Sequence, residues 1–174
     1  VPDILYMGKG INSMYLPLGA VGVSDRVFKD MEGMEFVAGG TACGDAAALA
    51  SGRAALRIYK EERLDQRAAK LGAHMHERLV KEFQPLPCVD DVLGRGLYQS
   101  FEITLNKTTG SKFNPEAQAK VRNEVFWKLM ERGVFGRIDH DRRVYLTPAL
   151  IIGEAELDQA LDILLGVIKE VKPV

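Results

Sequence analysis

Residues 3–24 read DILYMGKGINSMYLPLGAVGVS. Two short apolar runs, ILYM and GAVGV, are bounded by glycine and proline, the pattern of buried strands. A single lysine, Lys9, stands between Gly8 and Gly10 at the mouth of the first run. The stretch therefore reads as strand, lysine-bearing loop, strand. Flanking glycines let a bulky group come close to the backbone. An unperturbed lysine titrates near about 10.4 and is a poor nucleophile at neutral pH until desolvation or a nearby cation lowers that value. By position alone, Lys9 is either a solvated loop charge or a nucleophile held against something.

Outward from this stretch the elements alternate. Ser24 predicts the N-cap of a helix in SDRVFKDME. Residues 44–62, GDAAALASGRAALRIYKEE, lack proline and predict a long helix, in which Gly52 costs about 1 kcal/mol and the many small side chains imply close packing. A second helix carries Leu71, Met75, Leu79 and Phe83 on one stripe and is ended by Pro85 and Pro87. Leu97, Gln99, Phe101, Ile103 and Leu105 alternate with Tyr98, Ser100, Glu102 and Thr104, which predicts a half-buried strand entered through the Gly94-Arg95-Gly96 turn.

Residues 106–113 read as loop. Asn114 and Pro115 then predict an N-cap and first helical residue, with Val121, Val125 and Leu129 as the apolar stripe and Gly133 as the stop. Strands follow at GVFGRI and RVYLTP, and a last helix from Glu154 shows Leu157, Leu161, Leu164 and Ile168 on one face. The fold class is α/β, with a small sheet in the second half. The change in rhythm places a domain boundary near residues 62–66, dividing the chain into 1–64 and 65–174.

With 174 residues, 47% hydrophobic and 27% charged, the composition is that of a globular protein. A formal net charge of −1 excludes a general electrostatic pull toward nucleic acid or an anionic membrane, so any bound anion must be held locally. Cys43 and Cys88 are the two cysteines, and no long apolar run accompanies them, which points to a reducing, cytoplasmic setting without a disulfide. The opening Val1-Pro2-Asp3, without an initiator Met, and a first segment too short to bury a core alone read as a piece of a longer protein.

A second constellation lies at residues 36–52, FVAGGTACGDAAALASG. Gly39 and Gly40 allow close approach, Thr41 offers a hydroxyl, and a helix begins shortly after, so donors converge as in a phosphate seat. The other reading makes Thr41 the N-cap of that helix. Cys43, near the helix start, reads as a small buried filler. His74 and His76 sit two apart on a helix and point to different faces, which argues against a shared metal and for solvated surface positions. His140, between Asp139 and Asp141, reads as part of a loop charge cluster. No metal site is expected.

Taken together, these motifs resemble one family. PDILYMGKGINSMYLPLGAVGVSDRVF is similar to the lysine region of the class III aminotransferases, pyridoxal-phosphate enzymes of fold type I. GGTACGDAAALASGRAAL, LGRGLYQSFEI and YLTPALIIGEAELDQALDIL resemble three further motifs of that family, in the same order. The resemblance covers nearly the whole chain and corresponds to the C-terminal part of a family member. It implies that residues 1–64 end the large pyridoxal-phosphate domain and that 65–174 form the small C-terminal α/β domain.

By the same resemblance, Lys9 is the lysine that forms a Schiff base with pyridoxal phosphate and moves the proton during transamination. Thr41 and the backbone of Gly40 match the position that reaches across a homodimer interface to the phosphate of the partner's cofactor. Arg137 stands where pyruvate-using members keep an arginine for the substrate carboxylate, a contact a planar guanidinium suits; its plainer reading is a surface arginine in the charged run RIDHDRR. The small-molecule partners implied are an amino donor, an amino acid or amine, and a keto-acid acceptor. SMYLPLGA is closest to members acting on ω-amino acids and amines with pyruvate. Neither nucleic acid nor membrane is implied.

Departures from the family pattern fall at Thr147-Pro148-Ala149-Leu150, at Asp45-Ala46 and at Gly40, and Tyr145 stands where ornithine-type members carry a carboxylate arginine. The resemblance places the phosphate clamp, the ring-stacking aromatic and the ring-nitrogen aspartate upstream, so residues 1–174 alone are expected to be inactive. A non-catalytic dimerisation or interaction segment, or a mutase or decarboxylase of the same fold, is the alternative.

Overall fold

The computed structural model describes residues 2–35, 39–104, 115–139 and 142–171. The readings made for Leu105, the 106–113 loop, Asn114 and His140 lie outside these residues. The chain divides into two compact units, Val1–Leu64 and Asp65–Val174.

In the first unit, strands β1 (Ile4–Gly8) and β2 (Gly19–Val23) pair antiparallel, from Ile4 opposite Val23 to Gly8 opposite Gly19. A 3₁₀ turn, Lys9–Asn12, follows β1 directly. The Ser24 hydroxyl caps helix α1 (Asp25–Asp30) by accepting from the Val27 amide. Helix α2 (Ala46–Glu61) is capped by Asp45, whose carboxylate accepts from the Ala48 amide at 2.7 Å.

The small residues of α2 allow the close packing expected of them. Ala48, Gly52 and Ala55 are buried on one face, and a Cβ added at Gly52 would meet Leu18 Cδ2 at 2.5 Å. The expectation of buried strands is not met. All of β1 is exposed, because a two-stranded ribbon has too few neighbours to cover its own faces.

The second unit contains a four-stranded antiparallel sheet in the order β3–β4–β6–β5. Its strands are β3 (Val89–Arg95), β4 (Tyr98–Ile103), β5 (Arg137–Ile138) and β6 (Arg143–Leu146), with helices α3 (Leu64–Arg78), α4 (Pro115–Glu131) and α5 (Glu154–Lys169). The stripe on α3 runs on through a π turn, Leu79–Phe83, so that Leu71, Met75, Leu79 and Phe83 all enter the core. There they join Phe101 of β4, Val144 of β6, Leu129 of α4 and the Leu157, Leu161, Leu164 and Ile168 face of α5. Each fully buried side chain of this kind contributes about 1.5–3 kcal/mol.

Residues 89–95, VDDVLGR, were not read as a strand, and Gly94 and Arg95 were expected in the turn, yet all seven form β3, whose register slips between Asp90 and Leu93. The slip breaks the alternation by which a strand is recognised in sequence. Gln99 of β4 is buried and satisfied: its amide donates to the carbonyls of Gly72 (3.1 Å) and Gly96 (3.0 Å), and its carbonyl accepts from His76 Nδ1 at 2.9 Å. His74 Nε2 pairs with Asp158 at 2.7 Å. Neither histidine is the solvated surface residue expected, although the two do serve different partners.

No helix among the described residues is long and apolar enough to cross a membrane. Both cysteines are free thiols.

Candidate functional site

Lys9 leaves β1 in a left-handed backbone conformation, φ +48°, and opens the 3₁₀ turn. For a residue with a Cβ this geometry is unfavourable, and such outliers gather at functional sites. The side chain is exposed, and no acceptor among the described residues holds its ammonium. Its glycine neighbours leave room: a Cβ on Gly10 would meet nothing within 4 Å, and one on Gly8 only the Leu18 carbonyl at 3.9 Å. The amine is thus free and approachable, as condensation with an aldehyde requires.

Gly40 and Thr41 belong to the turn that runs into α2. Because Asp45 caps that helix, the capping role weighed for Thr41 falls to another residue. Thr41 is exposed, and its hydroxyl has no partner among the described residues. The Gly40 N–H donates to Cys43 Sγ at 3.1 Å and its carbonyl accepts from the Cys43 amide at 2.9 Å, closing the turn. Cys43 is exposed rather than buried, since its sulfur faces this turn and not a core.

Arg137 lies in the second unit, on the edge strand β5. Its guanidinium carbon sits 5.3 Å above the Tyr145 ring, within the range of a cation–π contact. A hydrogen bond to the Asp139 carboxylate pushes the Tyr145 phenol above its ordinary pKa, as does burial. Tyr98 packs edge-on against the same ring, centroids 6.1 Å apart. Lys9, Gly40 and Thr41 thus share the first unit, and Arg137 belongs to the second. Among the described residues no group of three or more potential ligands is placed to hold a metal.

The model of the aminotransferase class-III family matches residues 1–168. The chain belongs to the class-III aminotransferase family. It is 32% identical over 174 residues to a probable aminotransferase of Mycobacterium tuberculosis, covering 98% of this chain and 37% of that one. To the adenosylmethionine-8-amino-7-oxononanoate aminotransferase of Aquifex aeolicus it is 34% identical over 176 residues, covering 98% and 38%. Its fold is similar to that of an (S)-enantioselective ω-transaminase from Thermomicrobium roseum, with a TM-score of 0.84 at 33% identity, covering 98% of this chain and 38% of that one. The chain thus spans less than two fifths of these relatives' length.

One part of the lysine environment was not legible from the motifs. Asn12, Ser51 and Tyr59 tie the Lys9 turn to α2. The signal was present: Ala48, Gly52, Ala55 and Tyr59 follow a helical spacing, so a stripe of small residues runs into a tyrosine on the same face.

Proposed function

We propose that this chain is the C-terminal portion of a pyridoxal-phosphate-dependent aminotransferase that moves an amino group between an amino acid or amine and a keto acid. Residues 1–64 complete its large cofactor domain and 65–174 form its small C-terminal domain. The observation that carries the reading is Lys9: exposed, unpaired among the described residues, and held in a left-handed backbone between two glycines with open space beside them.

Pyridoxal phosphate, when bound, supplies an aldehyde and an electron-withdrawing ring. The lysine fits this group, and so does a threonine hydroxyl left free for a phosphate. Lys9 Nζ would hold the aldehyde carbon, and its amine, when free, would take up and return a proton as general base and acid. Thr41 Oγ1 donates to a phosphate across a homodimer interface, so that each site draws on two subunits. Arg137, released from the Tyr145 ring, pairs with the substrate carboxylate as a two-pronged donor. A reducing compartment suits the two free thiols.

The test is borohydride reduction of the whole protein after incubation with pyridoxal phosphate, followed by peptide mapping. A pyridoxyl group on Lys9, absent from Lys9→Ala together with transaminase activity, is the expected result. An adduct confined to other lysines would sink the assignment.

A further inference from the structure

The turn that carries Lys9 contains three non-glycine residues in left-handed backbone: Lys9 (φ +48°), Ser13 (+54°) and Met14 (+61°). Backbone of this kind persists only where its surroundings over-determine it. The bonds within the turn are long, Met14 N–H to the Lys9 carbonyl at 3.2 Å and Ser13 N–H to the Gly10 carbonyl at 3.3 Å. The remaining hold comes from the Asn12 side chain and from α2.

Asn12 is wholly buried and donates its amide to the Leu16 carbonyl at 2.7 Å and to Ser51 Oγ at 2.9 Å, while the Ser51 hydroxyl donates to the Ala48 carbonyl at 3.0 Å. Two turns further along the helix, the Tyr59 hydroxyl donates to the Gly10 carbonyl. Its single proton is spent there, so the 3.0 Å contact with Ser13 Oγ must run from serine to tyrosine. Tyr59 therefore grips the turn at both ends, on the residue after Lys9 and on the residue where the left-handed run resumes.

We propose that Tyr59 is a positioning residue for Lys9: its hydroxyl fixes the strained turn and so the direction in which the lysine leaves the backbone. The same helix begins just after Gly40-Thr41, so one rigid rod references both the lysine and the phosphate turn. The proposal rests on the assignment of Lys9 as the cofactor lysine.

The experiment uses the whole protein, unsubstituted and as Tyr59→Phe, which keeps the ring and removes only the hydroxyl. Amide hydrogen exchange is followed across residues 10–16 and across 65–104. Borohydride trapping of pyridoxal phosphate on Lys9 is quantified at a sub-saturating concentration. Removing the hydroxyl takes away both of its neutral hydrogen bonds, which predicts at least about fivefold faster exchange at Ser13 and Met14 and at least about fivefold less adduct on Lys9. Exchange in 65–104 should not change.

If the unsubstituted protein carries no adduct on Lys9, both the lysine assignment and the positioning role fall. If it does, and Tyr59→Phe leaves trapping unchanged, the positioning role alone is overturned. Should Tyr59→Phe accelerate exchange throughout, Ser13→Ala decides: it frees one of the two ends that Tyr59 holds, at an exposed position where no core is disturbed, and exchange at Met14 and trapping on Lys9 both equal to those of the unsubstituted protein overturn the two-ended grip on which the proposal stands.

Discussion

Gly72 of α3 lies directly against Gly96 of the β3–β4 turn: a Cβ built on Gly72 would stand 2.2 Å from the Gly96 carbonyl carbon. The obstacle is backbone, which cannot swing aside as the tip of a side chain can. Gly96 is itself at φ +56°, and the Gln99 amide bridges the two glycine carbonyls. Gly72→Ala should therefore push α3 off the turn and break that bridge, at a cost of about 3 kcal/mol. Urea unfolding monitored through the second unit measures this, and a loss below 1 kcal/mol would show that the turn relaxes freely.

Asp45 caps α2 and Thr41 does not, so cofactor binding and helix stability can be separated by two substitutions. Asp45→Ala should lower folding stability by about 1 kcal/mol. Thr41→Ala should leave stability unchanged and weaken pyridoxal phosphate binding by about one to two decades, since a hydrogen bond to a charged group is worth about 1.5–3 kcal/mol. If each site is shared across a dimer as proposed, mixing Thr41→Ala with Lys9→Ala subunits should restore part of the activity, because a heterodimer would keep one site with both residues intact. No recovery at any mixing ratio, with subunit exchange verified, would reject the cross-subunit role.

Arg78 of α3 meets three carboxylates, Glu82 at 2.8 Å, Asp158 at 3.1 Å and Asp162 at 2.6 Å. Glu82, first among them, holds the guanidinium proton well above its ordinary range, so Arg78 stays charged at any working pH. Glu82 is in turn held below the usual carboxylate range by Arg78, and Asp158 by His74 foremost and then by Arg78. Carboxylates depressed in the folded state stabilise fully above their unfolded pKa of about 4, and that stability is lost as pH falls through the lower folded values.

Acidification below about pH 4 should therefore lower Tm, and Arg78→Gln should flatten that acid limb and reduce Tm at pH 7 by about 2–4 °C. These groups are partly solvated, which keeps the effect modest. Scanning calorimetry from pH 7 to pH 2.5 makes the comparison, and an acid limb unchanged by Arg78→Gln would rule the cluster out as its source.

By itself the sequence determined those features that depend on local chemistry. The Ser24 cap, the stripe from Leu71 to Phe83, the α5 face and the buried side of β4 through Gln99, Phe101 and Ile103 are each written in neighbouring residues, whereas Ser100 and Thr104, expected on the open side of that strand, are buried as well. Lys9 between its glycines and the order of the motifs were legible for the same reason, and they pointed to the class-III aminotransferase family to which the chain belongs. Tertiary structure decided what depends on partners distant in the chain. It gave the cap of α2 to Asp45, left Thr41 free, exposed Cys43, and set His76 against Gln99. It also turned VDDVLGR into a strand by pairing it with β4 across a bulge, and brought Tyr59 to Gly10 from 49 positions away. The helical stripe ending at Tyr59 marks which face of α2 is turned inward, but the partner at the far end of a bond of that span is fixed by how the helix lies on a loop and not by the spacing of residues within either.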